Sequence, residues 1–183
     1  MNKDYIHNFA CWAAARAVQN PHHSGTSTAI IRKALDVIDI YSYVEDPNKL
    51  LSYEEVHNKI VKNLIGKLKW DPNKRYGVAA KIIAIYFKVT IIIPGKASSS
   101  IIKGIYPPID ANNLGRIEDN DDFKDAKWTK LNEVTYNKII TALSKQLKNN
   151  NSSFIDFEAE NTLLTNKNQN EKNQISTFSD VNV

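Results

Sequence analysis

Apolar positions recur at helical spacing through most of the first 148 residues, and strand-like alternation is rare. The first helix is expected over residues 4–19. At 100° per residue, Tyr5, Phe9, Trp12, Ala13 and Arg16 share one side, with His7, Cys11, Ala14 and Val18 opposite. With so little polar surface, this helix is expected to be buried around much of its circumference. Asn20-Pro21 ends it. Thr26 or Ser27 caps a second helix bearing Ile30, Ile31, Ala34, Leu35 and Ile38. After an Asp46-Pro47-Asn48 turn, Ser52 and Glu55 have capping-box spacing ahead of a third helix. Its face is Val56, Ile60, Val61, Leu64, Ile65 and Leu68.

A fourth helix is expected over 74–92, closed by Pro94-Gly95. Its β-branched end, 89–93, also suits a strand, but no neighbouring segment offers to pair with it. Pro107-Pro108 imposes an extended approach to Asp110, which is placed to cap a short helix toward Leu114. A last amphipathic helix, 133–147, carries Tyr136, Ile139, Ile140, Leu143 and Leu147 on one face. The expectation is a mainly α chain: one compact multi-helix domain over 1–148 with little or no sheet.

Beyond that point Asn, Ser, Gln and Thr dominate, so 149–183 reads as a disordered polar tail. Phe154-Ile155-Asp156-Phe157 is its one apolar spot. Removal of everything after Asn149 is accordingly expected to leave stability nearly unchanged. Charge divides at the same place. Residues 1–148 hold 22 Lys+Arg against 15 Asp+Glu, a net +7, and 149–183 hold 2 against 5, a net −3. A basic body permits an anionic partner such as DNA or another nucleic acid.

Cys11 is the single cysteine, which fits a reducing, cytoplasmic setting. Asp4, His7 and Arg16 interrupt the N-terminal apolar run, against a signal peptide. Lys81 and Lys88 interrupt 77–93, against a membrane span. No cofactor motif or glycine-rich phosphate loop is present, and too few Cys and His have ligand spacing to assign a zinc site.

Within the fourth helix Lys74, Lys81 and Lys88 recur every seven residues, within about 20° of one line. Nearly every other position is apolar, and Gly77 and Ala84 flank the line, where they would let another backbone or a ligand come close. Two readings stand. The lysines snorkel, laying their stems on apolar surface and their ammonium groups in water. Alternatively, one sits in a desolvated cleft and serves as an amine nucleophile. Asp110 likewise reads as a plain helix cap or as a carboxylate able to stabilise a developing cation, and the two roles are compatible.

Taken together, Tyr76-Gly77-Val78-Ala79-Ala80-Lys81-Ile82-Ile83-Ala84-Ile85-Tyr86 and Pro107-Pro108-Ile109-Asp110 resemble part of the helix–hairpin–helix DNA glycosylase superfamily. The stretch is also similar to small bacterial helical proteins of unassigned activity. The glycosylase resemblance covers 76–110 and implies a base-excision glycosylase- or lyase-like site. By position Asp110 matches the catalytic aspartate, Lys81 the nucleophilic lysine, and Gly77 the turn glycine whose neighbouring amides hold a phosphate. Lys74 and Lys88 would add nucleic-acid contacts. Departures are visible: Asn73-Lys74-Arg75-Tyr76-Gly77 replaces a double-glycine turn, and Lys81 lies inside the helix rather than at its entrance.

His7 and Cys11, four apart, read as a buried, inert cysteine beside a hydrogen-bonded histidine, with a Cys–His nucleophile as the alternative. His22-His23-Ser24-Gly25 reads as a polar loop, with phosphate or metal binding as its alternative. The rival function is a non-enzymatic helical module that binds nucleic acid or a protein partner. The separation of Lys81 from Asp110 discriminates the two classes.

Overall fold

The computed structural model describes residues 3–18, 27–118 and 121–160. Among them the chain is mainly α, with no strand. The elements in order are α1 (Lys3–Val18), α2 (Thr28–Val37), α3 (Ser42–Glu45), a 3₁₀ turn (Pro47–Leu50), α4 (Tyr53–Leu68) and α5 (Pro72–Phe87). A single π turn, Lys88–Ile92, continues α5. Then follow α6 (Ser99–Gly104), α7 (Ala111–Leu114), a second 3₁₀ turn (Trp128–Lys130) and α8 (Glu133–Asn149). The residues expected as a possible strand therefore finish the helix, and Gly95, at φ +63°, supplies the left-handed turn that closes it.

α5 is the central element because it is apolar almost all round. Every residue from Tyr76 to Ala84 is buried, as are Tyr86 and Phe87. Around it pack α1, α4, α8 and the Trp128–Lys130 turn. Asp71, just ahead of Pro72, starts α5 by accepting the Asn73 amide at 2.9 Å. Ser27 caps α2 through the Ile30 amide, as its position predicts. Ser52, by contrast, makes no side-chain cap bond and sits at φ −100°, ψ 61°, outside the extended conformation that a capping box requires. The 3₁₀ turn just upstream, with Leu51 still helical, fixes the chain's entry into α4 instead.

α1 turns its small residues inward. Ala10, Cys11, Ala14, Ala15 and Val18 are buried, whereas Tyr5 is 73%, Phe9 56% and Trp12 50% exposed. Small side chains let α1 approach α5 closely, and that contact takes only one stripe. The expectation of burial around most of α1 is corrected accordingly, and the Phe9 and Trp12 rings stack on each other at the surface.

The boundary expected at 148/149 is also corrected. α8 runs to Asn149, and residues 154–160 form a further helical segment against the body. Ser153 and Asp156 make a capping box: Asp156 Oδ2 accepts the Ser153 amide at 2.9 Å and its hydroxyl at 2.6 Å. Those donors hold the Asp156 carboxyl below its ordinary value. Phe157 is buried, and Phe154 meets Tyr106 edge-on at 5.3 Å. The tail expected over 161–183 lies outside the described residues. Among those described, no helix is long and apolar enough to cross a membrane.

Candidate functional site

The two sequence-singled residues, twenty-nine positions apart, meet. Lys81 Nζ donates to Asp110 Oδ2 at 3.2 Å. Lys81 is only 8% exposed, so it does not snorkel. Its ammonium also lies over the Trp128 ring, 4.4 Å from the centroid, in a cation–π contact. Both contacts engage it as a cation. Asp110 remains open to solvent, with 28% of its side chain exposed.

The backbone explains the position of Asp110. Pro107 and Pro108 hold the approach extended, and Asp110 itself is extended at φ −134°, ψ −174°. Its Oδ1 accepts the Asn113 amide at 3.1 Å and so caps α7. Asn113 Nδ2 in turn donates to the Pro108 carbonyl at 2.6 Å, locking the two-proline segment to the helix it introduces. One carboxylate therefore uses one oxygen to cap and the other to meet Lys81.

Gly77 stands one turn before Lys81 on the same side of α5. A Cβ there would lie 2.6 Å from the Trp128 carbonyl oxygen and 2.9 Å from Leu131 Cβ. The Gly77 amide donates to the Leu131 carbonyl at 3.2 Å. Gly77 is thus neither a turn glycine nor a phosphate cradle, because it lies in the helix interior with its amide bonded inside the protein. Its absent side chain lets the Trp128–Lys130 turn settle on α5 and bring the indole under Lys81. Gly77→Ala should cost about 1–3 kcal/mol through overpacking against backbone. Gly66→Ala, with nothing within 4 Å of the added Cβ, should gain about 0.5–1 kcal/mol from helix propensity. Urea midpoints of the two variants check the pair, and equal shifts would remove the close-approach account.

The lysine line is not an open stripe. Lys74 is exposed, with Nζ 3.8 Å from Asp71 Oδ2, and Lys88 Nζ donates to Glu158 Oε1 at 2.6 Å. Each of the three lysines therefore faces a different carboxylate.

On the opposite side of α5, His7 Nδ1 is 2.7 Å from the Tyr86 hydroxyl, and His7 Nε2 is 2.7 Å from Asp36 Oδ1. Cys11 Sγ lies 3.6 Å from the same Nε2 and is buried. Desolvation, followed by the Asp36 charge, pushes the Cys11 thiol up to about 12. That is the inert cysteine beside a bonded histidine that the spacing suggested, and a thiolate nucleophile is disfavoured there. His22 and His23 lie outside the described residues. Among those described, no group of three His, Cys, Asp or Glu side chains is arranged to hold a metal ion.

Trp128 and His57 were not singled out from sequence. Trp128 carried no periodic signal, since it precedes α8 on an irregular segment. His57 did: it falls with Ile60, Val61 and Leu64 on the inward stripe of α4 and is fully buried. No family model, no curated protein and no solved structure matches this chain.

Proposed function

We propose that this chain is a nucleic-acid-binding helical protein in which Lys81 and Asp110 form a glycosylase- or lyase-like site. The observation that carries the reading is the convergence of a buried lysine and a solvent-reachable, cap-locked aspartate at 3.2 Å. The net +7 of residues 1–148 supports an anionic substrate.

A flipped nucleotide would present its sugar to this pair. Asp110 stabilises positive charge at the anomeric carbon as the bond to the base weakens. Lys81 passes one proton through Asp110 Oδ2 to the departing base, and the freed amine forms the Nζ–C1′ bond as the C1′–base bond breaks. Of the three ammonium protons, one leaves with the base, one goes to O4′ as the sugar ring opens, and one stays on the iminium nitrogen. Water hydrolyses the iminium and restores the lysine.

The test is borohydride trapping on duplexes carrying oxidised, deaminated or abasic sites. Wild type should form a covalent adduct, and Lys81→Gln should abolish it. Asp110→Asn should slow the reaction on the order of 10²-fold or more. Asparagine still caps α7, but it leaves the Lys81 cation without its carboxylate. The stability cost should therefore reach about 1–3 kcal/mol, beyond that of a cap exchange alone. Rates are accordingly compared well below both melting temperatures. Absence of processing and trapping by wild type on every substrate would remove the enzymatic reading.

A second reading is favoured by the pairing of Lys81 with both Asp110 and Trp128, contacts that a purely structural ammonium would make. On it the chain is a non-enzymatic nucleic-acid-binding module, and salt-dependent DNA binding without trapping is its signature.

A further inference from the structure

The segment 154–160 carries Asp156, Glu158 and Glu160 and no cation. It lies between two cations of the body. Glu158 Oε1 accepts from Lys88 Nζ at 2.6 Å, and Glu160 Oε2 faces Arg116 Nη2 at 3.0 Å. Arg116 is engaged further, with Nη1 donating to the Phe157 carbonyl at 2.7 Å and its guanidinium 4.1 Å from the Phe157 ring centroid.

Arg116 is itself rigidly presented. Its carbonyl accepts from Gln146 Nε2 at 3.2 Å, and Gln146 Oε1 accepts the Glu118 amide at 3.0 Å, tying this stretch to α8. It also lines a polar groove of about 520 Å³ between the end of α8 and the acidic segment, together with Ser152, Asp156 and Glu160. A planar guanidinium held this way matches a phosphate diester as well as it matches a carboxylate.

We propose that Lys88 and Arg116 form a binding face for a nucleic-acid phosphodiester backbone, and that the acidic segment 154–160 is its intramolecular occupant. This rests on the nucleic-acid reading above and deepens it, adding Arg116 and a competitor built into the chain. Lys88 lies two turns after Lys81 on the same helix line, and Arg116 follows the helix that Asp110 caps. Carboxylates and phosphates compete for the same cations. The apparent affinity for nucleic acid is then reduced by the fraction of molecules in which the segment is docked. The Arg116–Glu160 pair is its weaker point, because Glu160 is 64% exposed and exposed pairs hold loosely.

The test uses the full chain and a labelled duplex oligonucleotide across a salt series. Glu158→Gln with Glu160→Gln should tighten binding about tenfold at low salt. It should also steepen the dependence of log affinity on log salt by about 0.9 for each cation released to a phosphate. Adding Lys88→Ala and Arg116→Ala to that variant should erase both gains. Glu54→Gln with Glu55→Gln, an equal charge change on exposed positions of α4, should give little. An equal gain from the α4 variant, or a gain that survives loss of the two cations, would overturn the inference. So would binding by wild type that the Glu158/Glu160 variant leaves unchanged, and in that case the nucleic-acid reading survives. If neither protein binds at low salt, the nucleic-acid reading falls and this inference falls with it.

Discussion

Ending the chain after Asn149 should lower the unfolding free energy by about 1–3 kcal/mol. Burying a phenylalanine such as Phe157 stabilises by about 2–3 kcal/mol, and Phe157 is 3% exposed. Phe154 adds its edge contact with Tyr106. The bonds from Arg116 to the Phe157 carbonyl and the Glu160 carboxylate contribute further. Ordering the backbone of the segment offsets much of this sum. That cost is why the net value stays small. It also sets a ceiling on what a single substitution does here. Once Phe157→Ala has detached the segment, no further stability remains to be lost from it. Truncation and Phe157→Ala should therefore shift the melting temperature by similar amounts, about 2–4 °C per kcal/mol at this size. Calorimetry of the two proteins decides it, and a truncation that leaves the midpoint in place would show that the segment adds nothing to stability.

That segment shows where pattern reading ends. Composition makes 149–183 look polar but for one apolar spot, and helical periodicity needs more than two turns to register. Yet Ser153-Phe154-Ile155-Asp156 has the spacing of a capping box, with apolar residues at 154 and 157. The helix start was legible, but what it packs on was not, because Lys88 and Arg116 are 70 and 44 positions from Glu158 and Glu160. Ser52 and Glu55 are the converse case: the box is written in the sequence, but the turn before it fixes the backbone first.

The helical class, the central place of α5 and the cap at Asp110 all followed from local chemistry: an apolar circumference, two prolines and an Asx cap. Lys81 and Asp110 were each visible as unusual. Their meeting depends on how the 107–110 segment crosses α5, which no local signal encodes. Gly77 carries two readings in the sequence, a close approach by another backbone and the turn glycine of the resemblance, and the structure realises the first. A glycine in a helix signals either a turn or a close neighbour, and only the position of the Trp128 carbonyl tells them apart. The scarcity of polar positions on α1 suggests burial around most of it, whereas only the stripe of small residues reaches α5.

Acid should destabilise this protein through His57, by about 3 kcal/mol between pH 6.5 and pH 4. The ring is fully buried, and neither nitrogen has a hydrogen-bond partner. It stacks on Tyr136 with centroids 5.6 Å apart at 13°, and the Tyr53 and Tyr106 rings close in at 5.5 and 5.1 Å. Burial among these rings pulls its pKa from 6.5 down to about 4, and the nearby Asn58 side chain offsets only part of that. The unfolded chain takes up a proton near pH 6.5, and the folded chain resists it until about pH 4. Between those values the unfolded state binds more protons, so stability falls as pH falls, by up to about 1.4 kcal/mol per unit, and levels off below about pH 4. His57→Phe keeps a ring in the same stack and carries no proton. It also removes two unsatisfied nitrogens, so at neutral pH it should equal wild type or exceed it by about 1 kcal/mol. The carboxylates and other histidines titrate in both proteins and cancel in the difference. Denaturant unfolding of the two proteins, stepped from pH 7.5 to pH 4, should give curves that diverge below pH 6.5. Parallel curves across that window would mean that His57 is solvated or paired in the folded protein, and the aromatic cluster around it would then have to open to water.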